Sequence, residues 1–137
     1  MQLQRNAHYY FCFPFASTQR LRDDSRNFYT PKGNYGNSKV AQVMFTFYLN
    51  KVLVAQRAKV RVVCFHPGYG RTDKLASDTL LHAALSPDLE GKGGLYLENM
   101  KVRTPSKFSR EVENQKQMWN ISCALTKIEV AEYGGFK

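Results

Sequence analysis

A tyrosine and a lysine four residues apart have the types and spacing that proton transfer requires. Tyr35 and Lys39 lie in the stretch Gly33–Lys39, directly before the long apolar run Val40–Leu49. If this run is a helix, the two side chains lie one turn apart on the same face. A cation beside a phenol favours the phenolate, so such a pair can serve as a general acid or base. The same spacing also arises by chance in many helices, so the pair alone does not establish a site.

The charge of the chain allows more than one class of partner. Its 137 residues carry a net charge of +9, and 43% of them are hydrophobic, which predicts one globular domain. Such a basic chain can bind nucleic acid or an anionic membrane surface. The basic residues, however, are scattered and form neither a run nor a stripe. We therefore expect no nucleic-acid partner, and a basic nucleic-acid-binding module ranks third among our interpretations.

Cysteines and histidines argue against a disulfide framework and against a metal site. The three cysteines are widely spaced and contain no Cys-x-x-Cys, which fits a reducing, intracellular compartment. The three histidines have no ligand spacing, so we expect no metal. No apolar run is long enough to predict a membrane span. These residues are Cys12, Cys64, Cys123, His8, His66 and His82.

Apolar periodicity and the positions of proline and glycine predict alternating helices and strands. A helix followed by a strand, with a turn at the carboxyl end of the strand, is half of an α/β crossover unit. Serine, aspartate and asparagine mark the expected helix starts, and the tail 132–137 looks frayed. The predicted elements are a helix Tyr35–Gln56 capped by Asn34, a strand Val60–Phe65, a helix Ser77–Leu85 capped by Ser77 or Asp78, a strand in Leu95–Asn99, and a final helix capped by Ser106 or Ser109.

Taken in order, these segments resemble the short-chain dehydrogenase/reductase family. The resemblance extends from His8 to Ile128. It rests on Tyr35-x-x-x-Lys39, the apolar helix, the strand and the turn after it, Pro67-Gly68-Tyr69-Gly70-Arg71-Thr72. Two further stretches are similar to the retinol-dehydrogenase-like and X-linked dehydrogenase/reductase branch. These are Ala84–Gly91 before Gly93-Gly94-Leu95-Tyr96, and Gln117-Met118-Trp119 followed by Ser122-Cys123.

The resemblance implies an α/β fold, the C-terminal half of a Rossmann-type doubly wound parallel sheet, in one partial domain over 1–137. It implies an NAD(P)-dependent oxidoreductase that acts on an alcohol/carbonyl pair of a lipophilic small molecule. Tyr35 matches the catalytic acid/base, and Lys39 matches the lysine that binds the nicotinamide ribose and favours ionisation of the tyrosine. Pro67, Gly68 and Thr72 match the turn that lies along the nicotinamide of NAD or NADP.

Several expected parts of the family pattern are absent. No T-G-x-x-x-G-x-G phosphate turn occurs, and Gln4 or Arg5 stands where the catalytic serine belongs. The stretch Gly91–Gly94 precedes a strand instead of opening a helix, so it is no substitute. The link Asp73–Ser77 is also shorter than the substrate-binding insertion of relatives. We therefore expect a truncated chain without the N-terminal cofactor-binding half, weakly active or inactive by itself.

The leading alternative is a non-catalytic remnant that associates with a relative, or with its own copies, through the 35–56 helix. The missing half would leave apolar surface open on the central strand and helix, so we expect an isolated chain of low stability. Four points stay open at the level of the sequence. These are the substrate, the choice between NAD and NADP, the oligomeric state, and whether the chain is truncated in the cell or only in its gene model. The expected location is the cytoplasm, or a membrane reached through segments that this chain lacks.

Overall fold

The computed structural model describes residues 31–66 and 73–127 of the chain. This part combines helices with a small sheet that contains a parallel strand pair, which confirms the predicted α/β class. The elements are helix α1 (Pro31–Ala55), strand β1 (Val63–His66), helix α2 (Asp73–Leu85), a 3-10 turn (Pro87–Leu89), strands β2 (Leu95–Glu98) and β3 (Lys101–Arg103), and helices α3 (Lys107–Arg110) and α4 (Val112–Thr126). None of these described helices has the length and apolarity needed to cross a membrane.

The described strands form a mixed sheet in the order β1-β2-β3. Strands β1 and β2 are parallel, as a crossover unit requires. Strand β3 was not predicted, and it runs antiparallel to β2 with Tyr96 opposite Arg103 and Glu98 opposite Lys101. The two residues between β2 and β3, Asn99 and Met100, have φ angles of 51° and 59°. Positive φ at both central residues is typical of a type I′ hairpin turn.

Helix α1 supplies the centre of the core, and it is buried on more than one side as its apolar pattern predicts. It packs against α3, α4 and β1. Val40 and Met44 are almost fully buried and form a cluster with Met118 of α4. Farther along the same helices, Phe45 and Tyr48 lie against the ring of Trp119, with centroid distances of 5.0 and 5.3 Å. These contacts hold the central part of α1 against α4.

The starts of α1, α2 and β1 differ from the predicted ones. Helix α1 begins at Pro31, so Asn34 lies inside it and is not its cap. Proline is compatible with the first turn because its missing N–H has no intrahelical partner there. Helix α2 begins at Asp73, so the predicted link Asp73–Ser77 is helical and its caps at Ser77 and Asp78 were wrong. Strand β1 begins three residues later than Val60 and extends to His66.

The predicted last helix is divided in two. The hydroxyl of Ser106 accepts a hydrogen bond from the backbone N–H of Ser109 (3.2 Å), which confirms Ser106 as the cap of α3. Glu111 is extended, with φ −63° and ψ 123°, and separates α3 from α4. The buried Gln115 joins the parts, because its amide nitrogen donates to Ser109 O and its amide oxygen accepts from Lys51 Nζ of α1, each at 2.8 Å.

Candidate active site

Tyr35 and Lys39 lie on the same side of α1, as their spacing predicts. The ammonium Nζ of Lys39 is 5.4 Å from the centroid of the Tyr35 ring. Tyr35 is 59% exposed, and Lys39 is exposed as well. The pair therefore combines a solvent-accessible hydroxyl with a nearby positive charge. Such a pair can exchange a proton with a bound oxygen.

Gln42 is a third polar residue of this surface, and the sequence analysis missed it. Its amide oxygen Oε1 accepts a hydrogen bond of 3.3 Å from Lys39 Nζ. Residues three apart are neighbours on a helix, so the spacing of Lys39 and Gln42 could have revealed the contact. An ammonium has three donors. After this bond, Lys39 keeps two of them for the hydroxyl groups of a bound molecule.

The other predicted site residues lie outside the described residues. Pro67, Gly68 and Thr72 belong to the segment 67–72 after β1, and their role stays a prediction. The described strand nevertheless ends at His66, directly before them. In open α/β sheets, ligands bind beyond the carboxyl ends of the strands.

The glycines of 91–94 do not form a phosphate site. They lie between the 3-10 turn and β2, as the sequence predicts. A Cβ at Gly93 would overlap the side-chain oxygen Oδ1 of Asn50, so this glycine serves the packing of α1 on the sheet. The described residues thus contain no glycine turn that opens a helix after a strand, the arrangement that holds a pyrophosphate. The same described ranges hold no group of three His, Cys, Asp or Glu side chains that could bind a metal.

Cys64 of β1 carries a thiol, a side chain that can act as a nucleophile, but its surroundings do not favour the reactive form. Its sulfur lies 3.6 Å from the carbonyl oxygen of Leu95 on the neighbouring strand. Burial raises the pKa of the Cys64 thiol from its ordinary 9.0 to about 12, and weaker opposing effects come from hydrogen bonds with the Thr46 side chain and with its own backbone. The thiolate is the reactive form. Cys64 is therefore a packing residue at neutral pH.

This shift predicts a loss of stability at alkaline pH. The thiol of the unfolded chain ionises near pH 9.0, whereas that of the folded chain stays protonated to about pH 12. Between these values the unfolded state binds fewer protons, so the free energy of unfolding falls as pH rises. Urea unfolding below pH 9 and again above it should show a steeper loss for the wild type than for Cys64→Ala. Equal pH dependence of the two proteins would contradict the assignment.

Comparison with known proteins links this arrangement to a family, although no family model matches the chain. The chain is 31% identical over 124 residues to polyprenol dehydrogenase of Homo sapiens, covering 73% of this chain and 38% of that protein. It is 29% identical over 117 residues to retinol dehydrogenase 12 of Mus musculus, covering 69% and 36%. The chloroplastic short-chain dehydrogenase TIC 32 B of Brassica napus is 25% identical over 120 residues, covering 71% and 38%.

A solved structure supports the same relationship at the level of the fold. A crystal structure of an uncharacterized protein from Mycobacterium paratuberculosis superposes with a TM-score of 0.69 at 26% identity, covering 90% of this chain and 48% of that one. The α/β elements are thus part of a Rossmann-like fold. The chain spans well under half of the length of the curated relatives it matches. By sequence and by fold, the chain belongs to the short-chain dehydrogenase/reductase family.

Proposed function

We propose that this chain carries the catalytic part of an NAD(P)-dependent oxidoreductase that acts on an alcohol/carbonyl pair of a lipophilic molecule. The observation that supports the proposal most directly is the ammonium of Lys39 placed 5.4 Å from the ring of the exposed Tyr35. The relatives named polyprenol dehydrogenase and retinol dehydrogenase act, by those names, on lipophilic alcohols.

In this proposal each residue has one task. The phenol of Tyr35 exchanges a proton with the substrate oxygen. Lys39 donates hydrogen bonds to the nicotinamide ribose. Pro67, Gly68 and Thr72 form the turn beside the nicotinamide. The nicotinamide cofactor, when bound, gives or takes the hydride.

The proposal also predicts that cofactor binding and activity are limited in the isolated chain. Its 137 residues contain no T-G-x-x-x-G-x-G turn, and a helix N-terminus behind such a turn is what holds a pyrophosphate. Weak cofactor binding and weak activity, or none, follow for the chain alone. An N-terminal half supplied by further sequence would complete the site. Reading the genomic sequence upstream of Met1 for a strand and this motif in frame tests that part.

A second function, association with a relative or with another copy through the 35–56 helix, has weaker support. Much of the apolar surface of α1, including Val40, Val43, Met44 and Leu53, is already buried within the chain. Val54 is exposed and could contribute to such a contact. Sedimentation of the purified chain distinguishes an oligomer from a monomer, and Val54→Glu should dissociate an oligomer that uses this face.

The test of the catalytic role removes one hydroxyl from each of two tyrosines on α1. In a protein that includes an N-terminal cofactor-binding half, Tyr35→Phe should lower turnover of retinol with NAD⁺ or NADP⁺ by at least about 100-fold, because the acid/base is lost. Tyr48→Phe is the matched control, since its ring packs on Trp119 and can do so without the hydroxyl. Formation of reduced cofactor is followed by its absorbance. An equal loss in both variants would contradict the role of Tyr35.

The limit on the isolated chain needs a separate readout, because weak turnover alone could have several causes. Titration with NADH and NADPH, followed by cofactor fluorescence and by thermal shift, measures binding directly. We expect no tight saturable binding. Tight binding would contradict the incomplete cofactor site, and the loss of activity in Tyr35→Phe could then be measured with saturated protein.

A further inference from the structure

Helix α2 carries an apolar stripe on its exposed side. Five exposed residues, spaced three or four apart and therefore on one face of the helix, form this α2 stripe. They are Ser77, Leu80, Leu81, Ala84 and Leu85. The three leucines are 50%, 54% and 73% exposed. The helix packs on β1 and β2, and Thr79, on the side away from the stripe, is fully buried. Packing within the described part of the chain therefore does not explain the leucines.

The charge around the α2 stripe argues against the anionic partners that a basic chain usually suggests. Residues 75–91 contain no lysine or arginine, whereas the whole chain has a net charge of +9. The same segment contains Asp78, Asp88 and Glu90, of which the last two are exposed. Anionic lipids and nucleic acids are attracted by lysine and arginine, so acids beside the stripe repel them. An apolar stripe with acids beside it fits another protein surface better.

The α2 stripe is complementary to itself in the sizes of its side chains. We consider two α2 helices that lie antiparallel about a two-fold axis at Leu81. Leu85 of each copy is then opposite Ser77 of the other, because both lie four residues from Leu81. A large residue that faces a small one lets two helices approach closely and fill the space between them. A two-fold contact of this kind needs the same patch on both copies and no second surface.

Charges at the ends of α2 favour the antiparallel direction. Asp88 and Glu90 follow the carboxyl end of the helix, where the helix dipole is negative, so their position is unfavourable within their own copy. In an antiparallel pair they lie near the amino end of the other helix, where the dipole is positive and the charges of Asp73 and Lys74 cancel. A parallel pair would bring the acids of both copies together.

We propose that the α2 stripe is the contact between two copies of this chain, packed antiparallel about Leu81. This contact differs from an association through the 35–56 helix, since Val54 of that helix takes no part in it. It also does not depend on the catalytic function proposed for Tyr35 and Lys39, which lie on α1.

Sedimentation of the full chain over a range of concentrations tests this contact. We expect an equilibrium between monomer and dimer. Leu81→Ser should lower the association constant at least about tenfold, because each copy loses an apolar side chain that the contact buries. The matched control Val112→Ser changes a residue of α4 with a similar exposure, 58% against 54%, and should dimerise like the wild type. Val54→Glu should do so as well.

Oxidation of a cysteine variant tests the two-fold axis. Two residues at the axis come together, so mild oxidation of Leu81→Cys should join the two copies by a disulfide. Val112→Cys is the matched control, and the wild type shows the background from its three native cysteines. Electrophoresis without reductant should therefore show a linked dimer above this background only for Leu81→Cys.

Three results would overturn the proposal. One is a wild type that stays monomeric at every concentration; if it then binds phosphatidylcholine vesicles and Leu81→Ser does not, the stripe is a lipid contact. Another is a dimer or larger aggregate that Leu81→Ser leaves unchanged. The third is a dimer that Leu81→Cys links no better than Val112→Cys. Circular dichroism verifies folding, and no variant alters Tyr35 or Lys39, so failure of the contact leaves the catalytic proposal unaffected.

Discussion

Replacing Trp119 with alanine is expected to lower the free energy of unfolding by about 3–5 kcal/mol, the usual cost of removing a buried tryptophan. The side chain is 2% exposed. It lies between α4 and α1, where the rings of Phe45 and Tyr48 contact it at centroid distances of 5.0 and 5.3 Å. Two aromatic contacts are lost together with the buried area, and each contributes about 1 kcal/mol beyond burial. Because small domains are stable by only about 5–15 kcal/mol, a loss of this size is a large fraction of the total stability.

The measurement must avoid the fluorescence of the residue that is removed, because Trp119 is the single tryptophan of the chain. Urea unfolding followed by far-ultraviolet circular dichroism meets this need. Val112→Ala is the matched control on the same helix, since Val112 is 58% exposed and its truncation should change stability by less than about 0.5 kcal/mol. Trp119→Phe should lie between the two. A loss below about 1 kcal/mol in Trp119→Ala would show that α1 and α4 are held by other contacts.

The elements that the sequence predicted well are those whose pattern repeats over several turns. The two apolar faces of α1 are long enough to define both its period and its burial, and the prediction of a helix packed on more than one side is confirmed. Val63–His66 and Leu95–Glu98 are also found as strands. Both have the apolar and β-branched or aromatic composition that a half-buried strand requires.

The missed features are short or depend on contacts distant in sequence. Strand β3 has three residues, all exposed, so no alternation marks it. Its turn lacks the glycine that usually identifies a type I′ hairpin, because Asn99 and Met100 adopt the positive φ angles instead. The chain is extended at Glu111 between α3 and α4, and Gln115 supports this break by donating to Ser109 O and by accepting a hydrogen bond from the distant Lys51 of α1. No local pattern shows such a tertiary constraint.

The candidate site was also predicted only in part, because helical spacing can be read from the sequence and contacts between distant residues cannot. The relation between Tyr35 and Lys39 follows from helical spacing alone and is found as predicted. The contact of Lys39 with Gln42 has the same origin and was overlooked. The role of Gly93 could not be predicted, because the atom that fills the space beside it belongs to Asn50, more than forty residues earlier in the chain.

Replacing Gly93 with alanine is accordingly expected to destabilise the fold by about 1–3 kcal/mol through overpacking. The new Cβ would overlap Oδ1 of Asn50 and lie 2.8 Å from its Cγ. Asn50 cannot swing away freely, because Oδ1 also accepts a hydrogen bond from the backbone N–H of Val62 at 3.4 Å. The neighbouring Gly94 donates its own N–H to Val62 O at 2.7 Å. The methyl group would therefore push α1 away from the segment that leads into strand β2.

A double-mutant cycle separates this overlap from an effect on the backbone. In the background of Asn50→Ala, the cost of Gly93→Ala should shrink by more than about 1 kcal/mol, because the overlapping atoms are gone. Gly91→Ala is the matched control: nothing lies within 4 Å of its Cβ position, but its φ is +69°, so its cost of about 1 kcal/mol comes from the backbone. That cost should be unchanged by Asn50→Ala in urea unfolding. If both glycine variants respond equally to Asn50→Ala, the close approach of Asn50 to Gly93 does not determine the packing of α1 on the sheet.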